Sequence, residues 1–457
     1  MKDSEAQYIT EVLEYTPAPG QLINVGPWGT PAGARSLEGG IQGSVCLGAF
    51  GGYVVFRFEH PVENDPQNPY GVDFSLFGNP MPEWSEPGVV WVMKDENENG
   101  EADDTWYELA GSDYWFSTTR RGYRVTYTNP GGEVASDVPW ADSYGGSGII
   151  KANSLHTQPY YPLNDSFPDI DPESYSLEGT LLSGQVFQYA TTYKSIQRAF
   201  GYADNHPPET EPYFLPDNPY TRELENSGGD AFDIGWAVDS DGHAVELVQV
   251  HFIKVQNGLL ADGGLLGELS TELRGAIDIP ADPSISGETE MVVIKDLPPL
   301  LELGEYQLEV KVFQGGKLSS DSSVLWTTSR PGATVDENHL LRITEEGSLT
   351  LTATMESRPE ISTSVTTNVD FSHTGVAGAS VLGTGLVLYP NPASDFFRVR
   401  GVGKLSLSLY DASGRTLKQV DQYEKERALN ISGYPSGIYL VKMERDSSTE
   451  WVKLIKR

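Results

Sequence analysis

Apolar and polar residues alternate along most of this chain in short runs, and spacings of three or four are scarce. The runs "GGYVVFRFEHPV" (51–62), "GVDFSLFGNP" (71–80), "GVVWVMK" (88–94), "TWYELAG" (105–111), "YRVTYTN" (123–129), "AFDIGWAVD" (231–239) and "ELVQVHFIKVQNG" (246–258) are rich in β-branched and aromatic residues. Each predicts a strand, and Asn-Pro, Pro-Gly and Asp-Gly pairs between them predict tight turns. The chain is therefore expected to be all-β, with a jelly-roll-like sandwich over residues 8–275 rather than βαβ units. In "SDGHAV" (240–245) the Asp241-Gly242 pair marks a hairpin, which makes His243 a turn residue. Residues 277–371 repeat the period of two in "EMVVIKDLP", "GEYQLEVKVFQGG", "LLRITEE" and "SLTLTATM", as an Ig-like or PKD-like spacer would. A Gly-rich, nearly uncharged stretch, "SHTGVAGASVLGTG" (372–385), reads as a linker. Beyond it "FFRVR", "LSLSLYD", "GIYLVKM" and "WVKLIKR", separated by "DASGR" and "GYPSG", predict a small antiparallel β-sandwich over 386–457.

That last segment carries four motifs in order: "YPNPASD" (389–395), "LYDASGR" (409–415), "GIYLVK" (437–442) and "KLIKR" (453–457). It resembles the C-terminal sorting domains of the type IX secretion system of Bacteroidetes. The resemblance implies a secreted or outer-membrane-surface protein, with the secretion machinery as the partner of residues 386–457. It also implies Sec export, passage across the outer membrane, and removal of the sorting domain with release or lipid attachment. Such export needs a signal peptide, and "MKDSEAQYITEVLEY" at the start has no apolar core of that kind. A start upstream of the given one, or a trimmed leader, is therefore expected. The stretches "YTPAPGQLIN", "LGAFGGYVVFRF", "SEPGVVWVMKDENENGEADDTWYEL", "GGDAFDIGWAVDSDGHAVEL" and "HFIKVQNG" resemble a family of Bacteroidetes cell-surface proteins. More distantly their layout is similar to discoidin-like carbohydrate-binding sandwiches. This second resemblance, over about 8–272, implies location and fold more than activity.

Charge narrows the partners. The formal net charge is −34; residues 386–457 hold 12 Lys and Arg against 8 Asp and Glu. The preceding residues hold 19 against 57, a net of −38. A body this acidic repels nucleic-acid phosphates and anionic lipid surfaces, and suits divalent cations, neutral ligands or simple solubility. Cys46 is the only cysteine, so an intrachain disulfide and a Cys-based zinc framework are both excluded. No 18-residue apolar run offers a transmembrane helix.

The most distinctive local pattern is "KDENENGEADDTWYEL" (94–109), between two strand-like runs. Asp95, Asn97 and Asn99 followed by Gly100 have the D-x-N-x-N-G order that opens EF-hand-type and dockerin-type calcium loops. Alternate short side chains would point their oxygens at one hard cation, Gly100 would allow the reversal, and the Glu101 carbonyl with Asp103 or Asp104 would complete the shell. Position twelve is Trp106 rather than a bidentate Glu, and the flanks are strands, so a helix–loop–helix sensor is excluded. The expected cofactor is one structural calcium at a hairpin end; the alternative is a solvated acidic tip. A second acidic stretch, "NDSFPDIDPES" (164–174), lacks the reversing glycine and reads as an ordinary loop.

Aromatic residues crowd near that loop, and exposed rings are the usual platform for sugar faces or planar cofactors. Trp106 and Tyr107 must point to opposite faces of a strand. Trp115, Trp140 and Tyr144 lie in less periodic segments and are the expected ligand-binding residues. No G-x-S-x-G, H-E-x-x-H or Cys–His context is present, and His206 in "GYADNHPPE" reads as a loop residue. The sequence is thus read as a non-catalytic surface binding protein for carbohydrate. Surface capture of a nutrient cofactor such as a corrinoid, or hydrolysis of a polysaccharide by paired carboxylates, are the alternatives.

Overall fold

The computed structural model describes residues 7–456 apart from 183–185, 190–191, 208–228, 282–289, 296, 370–386, 390–392, 401–404, 412–414, 424–426, 436 and 446–447. The expected linker, 372–385, lies outside the described residues. The chain divides into two units: Met1–Pro298 with Leu308–Trp326 and Thr352–Val365, and Pro299–Gln307 with Thr327–Leu351 and Thr366–Arg457. Helix among the described residues is confined to Pro31–Ala34, capped by the Thr30 hydroxyl, and a few 3-10 turns. The protein is all-β.

The first unit is built on a six-stranded antiparallel sheet. Its strands run in the order Glu11–Thr16, Tyr53–Arg57, Phe252–Asn257, Gly88–Met93, Trp106–Leu109 and Ala237–Val238. Alternation decides which face is buried: Val54, Phe56, Val90, Val92, Ile253 and Val255 point into the core. A three-stranded antiparallel sheet supplies further residues to the same core, in the order Gly229–Phe232, Phe74–Phe77, Gly275–Asp278. Its strands are buried on both faces, and Phe74 stacks on Phe232 at 5.2 Å. The strand Gly275–Asp278 runs across the boundary expected at 275–277, because its register with Phe74–Phe77 carries on to Asp278. Met291, Val293 and Phe313, from the expected spacer, join the same buried core.

A four-stranded sheet in this unit has the order Ser147–Ile150, Val138–Asp142, Arg120–Thr128, Ser174–Leu181. Its outer hairpin turns at 143–146, where Asp142 accepts the N–H groups of Tyr144 and Gly146 and Gly145 takes φ +86°. A smaller cluster of Val292, Ile294, Val312, Ala353 and Met355 packs behind Glu290–Ile294 and Val310–Gln314.

In the second unit Gly304–Gln307, Leu340–Ile343 and Ala333–Val335 pair antiparallel. The C-terminal strands Phe396–Arg400, Leu405–Asp411, Thr416–Tyr423, Gly437–Arg445 and Ser448–Lys456 reproduce the alternating runs of the sequence. Leu407, Leu409, Val441, Met443 and Leu454 form their core.

Candidate functional site

Gly88–Met93 and Trp106–Leu109 pair in register, with Met93 opposite Trp106, so residues 94–105 form a hairpin end. Within it the Asp95 carboxylate is buried and accepts the N–H groups of Asn99 at 3.1 Å and Gly100 at 2.8 Å. Asn97 and Asn99 turn their amide oxygens to the backbone N–H groups of Asn99 and Glu101, and their amide nitrogens toward Asp103. Asp104 accepts the N–H of Glu96 at 2.8 Å, while the carboxylates of Glu96, Glu98, Glu101 and Asp103 are exposed. Gly100 has φ +77°, the left-handed conformation that the reversal requires. Arg57 holds the loop from below through the Gly100 carbonyl at 3.2 Å. His251 Nδ1 accepts the N–H of Asp95 at 3.1 Å. Asp95, Arg57 and His251 also line a cavity of about 490 Å³ beneath the loop.

Trp106 and Tyr107 do lie on opposite faces. Tyr107 packs on the main core, and the Trp106 ring lies 4.8 Å from the Lys254 ammonium. Trp91, also at 4.8 Å, and Tyr53 at 5.9 Å complete an aromatic surround for that lysine. Burial lowers the Lys254 pKa to about 8.

The three aromatic residues expected to bind a ligand do not form one platform. Trp115 packs edge-on against Tyr114 at 4.9 Å and lines an apolar cavity of about 310 Å³ with Trp236, Val238, Gly242 and Leu318. Trp140 lines a different cavity, of about 150 Å³, with Ile149, Ile150, Lys151, Leu260, Ala261, Asp262 and Glu268. Tyr144 sits at the hairpin tip, 64% exposed, stacked on Tyr123 at 5.7 Å with the Arg120 guanidinium 5.0 Å from its ring. Trp140 and Tyr144 share one hairpin but have different surroundings, and Trp115 lies in the turn between the strands Trp106–Leu109 and Arg120–Thr128.

Sequence reasoning missed three arrangements. The turn after Ala237–Val238 gathers ligand atoms of Asp239, Asp241 and His243 within 4.8 Å of one another. Asp239 Oδ1 accepts the N–H groups of Asp241 and His243, so the turn role of His243 holds, and the signal was the D-x-D-G-H order. The Arg121 guanidinium beside Gly242 opposes a cation there. His206, expected in a loop, is buried with Nδ1 2.7 Å from Asp230, in a network running through Asn205 to Arg198 and Asp113.

A second group of acids is buried without having been expected. Burial raises Glu86 and Asp204 well above the usual carboxylate range, reinforced for each by Glu272. Glu268 is 5% exposed; its Oε1 accepts the Gln21 N–H at 2.7 Å, whereas Oε2 has no hydrogen-bond partner. Burial pushes its pKa up to about 8, with Glu272 and Asp262 adding to the rise.

Residues 387–457 match the family model described as the secretion system C-terminal sorting domain, which marks the chain as a type IX secretion substrate bound for the cell surface or beyond. No helix among the described residues is long and apolar enough to cross a membrane. No curated protein matches the chain. Among solved structures it is similar to extracellular cadherin domains 1–4 of protocadherin gamma B7, at TM-score 0.16 and 11% identity, covering 45% of this chain and 62% of that one. It is similar to the BSP domain of a biofilm associated protein, at TM-score 0.15 and 10% identity, covering 100% and 68%. For the S-layer protein rSbsC the values are 0.18 and 10%, covering 90% of this chain and 53% of that one. Likeness of this degree bears on neither ligand nor partner.

Proposed function

We propose that this exported protein binds carbohydrate through its first unit without cleaving it, and that the 95–104 loop holds one structural calcium. The observation that carries the binding reading is Trp140, a half-buried indole that walls a cavity otherwise made largely of aliphatic side chains. An apolar wall with a few polar groups is how proteins take up the C–H face of a sugar ring while selecting its hydroxyls. The calcium reading draws support from the D-x-N-x-N-G order, the left-handed Gly100 and six carboxylates between Asp95 and Asp104. That many acids on one tip repel one another in the absence of a counter-ion.

The test is a glycan array probed with the full chain, followed by a reducing-end assay on every bound polysaccharide. Retention of one or more neutral glycans without new reducing ends is the expected result. New reducing ends would replace the reading by the hydrolase one. A visible absorbance band carried by the purified protein, with no glycan bound, would replace it by capture of a coloured nutrient cofactor.

A further inference from the structure

The Trp140 cavity has a feature that packing alone does not explain. Its walls are the indole, Ile149, Ile150, Leu260 and Ala261, with Lys151 and Asp262 as opposite charges. Among these lies a carboxyl that is 5% exposed. One of its oxygens is committed to the Gln21 N–H, and the other has no partner. A buried polar atom left unpaired is destabilising, so folded proteins rarely keep one without a use. Gly148 fixes the indole opposite: a Cβ there would come within 2.6 Å of the Trp140 ring, so only glycine lets the ring lie over the neighbouring strand.

We propose that the cavity between Trp140, Ile150, Leu260 and Glu268 is the subsite for one neutral sugar ring, laid against the indole and hydrogen-bonded through a hydroxyl to Glu268 Oε2. This rests on the carbohydrate reading above and adds to it the position and charge class of the unit bound. The cavity, about 150 Å³, has room for one small ring. One positive and one negative side chain in the wall, Lys151 and Asp262, give the cavity no strong net sign, which disfavours a uronic acid or a free amine relative to a neutral unit. With a pKa of about 8, Glu268 keeps its proton at neutral pH and donates it to a ligand oxygen. A hydroxyl can accept that bond and donate another.

The experiment is calorimetric titration of the full chain with cellohexaose, maltohexaose, xylohexaose, laminarihexaose and mannohexaose, and with oligogalacturonate as the acidic probe. At least one neutral probe should bind and oligogalacturonate should not. For that probe Trp140→Ala should weaken binding by ~tenfold or more, and Trp140→Phe by less. Ala261→Trp, which fills the cavity and leaves the Trp140–Gly148 packing intact, should abolish it even if Trp140→Ala misfolds. Affinity of the unaltered protein should fall between about pH 6 and about pH 9.5, as the donor is lost. Glu268→Gln keeps an N–H donor, so it should bind much as the unaltered protein does at neutral pH and lose the pH dependence.

If a probe binds but Trp115→Ala abolishes binding while Ala261→Trp has no effect, the subsite is wrong and the carbohydrate reading stands. Affinity for a neutral probe that rises with pH would make the ionised Glu268 an acceptor and overturn its assignment as the donor. Binding of none of the probes, nor of any glycan on the array, would overturn both.

Discussion

Glu108 shows how one residue can couple stability to pH. It lies on the face of Trp106–Leu109 opposite Tyr107 and Leu109, is buried there, and its Oε2 accepts the Thr180 hydroxyl at 2.6 Å. Burial raises its pKa from 4.5 to about 7, against the Thr180 bond and the charges of Arg121 and Lys254. Below about pH 4.5 the carboxyl is protonated whether the chain is folded or unfolded. Between there and about pH 7 only the folded chain keeps the proton, so each pH unit removes about 1.4 kcal/mol of stability. The loss totals about 3 kcal/mol once both states are ionised. Glu108→Gln keeps the acceptor for Thr180 without the charge. It should raise Tm by a few degrees at about pH 8 and leave it nearly unchanged at about pH 5. Equal destabilisation at both pH values would mean that the amide packs badly and that ionisation matters little.

At the scale of elements, the hairpin of Gly88–Met93 and Trp106–Leu109 carries the calcium reading in a form that melting can test. Asp95 caps two backbone N–H groups, so Asp95→Ala should lower Tm even without calcium. Asp103 accepts only from the Asn97 and Asn99 side chains and is exposed, so Asp103→Ala should leave the calcium-free Tm nearly unchanged. With calcium at a hundred times its Kd the unaltered protein should gain about 2.7 kcal/mol, and Asp103→Ala should lose most of that gain. No rise in Tm at millimolar calcium would leave a solvated acidic tip. This hairpin was legible in the sequence because its evidence is local: "GVVWVM" and "TWYEL" carry the strand pattern, and Gly100 marks the reversal. The same holds for "FFRVR" and "LSLSLYD", whose bounds coincide with the strands Phe396–Arg400 and Leu405–Asp411. Glu268 was not legible. In "LLGELSTEL" it reads as a surface residue, and its burial depends on a partner 247 positions away. For the same reason the sequence could not show that Trp115 and Trp140 wall separate cavities, or that the strand Gly275–Asp278 pairs with Phe74–Phe77. Those relations arise from long-range closure, which no local spacing encodes.

Across the whole molecule the buried acids act together with the overall charge. In the folded chain Glu268 titrates at about 8, Glu108 at about 7 and Asp233 at about 6, each raised first by burial. Asp73, Glu86, Asp204 and Glu272 are raised as well. All of them bind protons more tightly folded than unfolded, so each removes stability as pH climbs from about 4 toward its folded pKa. The lowered acids, Asp142, Asp171, Asp239 and Asp336, lie at the surface, partly or fully exposed, and are held down by hydrogen bonds, so their support is lost only below about pH 4. A net charge of −34 at pH 7 adds self-repulsion that fades as pH approaches the pI of about 4.4. Three contributions thus place the maximum of stability between about pH 4.5 and about pH 6, below the neutral range common for soluble proteins. Melting of the full chain should show Tm falling steadily from about pH 5 to about pH 8. Added sodium chloride should recover the part due to long-range repulsion and leave the part due to burial, since salt screens exposed charges and reaches buried ones poorly. A Tm that stayed flat or rose over that interval would mean that the buried carboxyls are ionised at little cost, which requires cations bound beside them. Repeating the melt with a chelator would then separate the two cases, because stripping such cations would restore the downward slope.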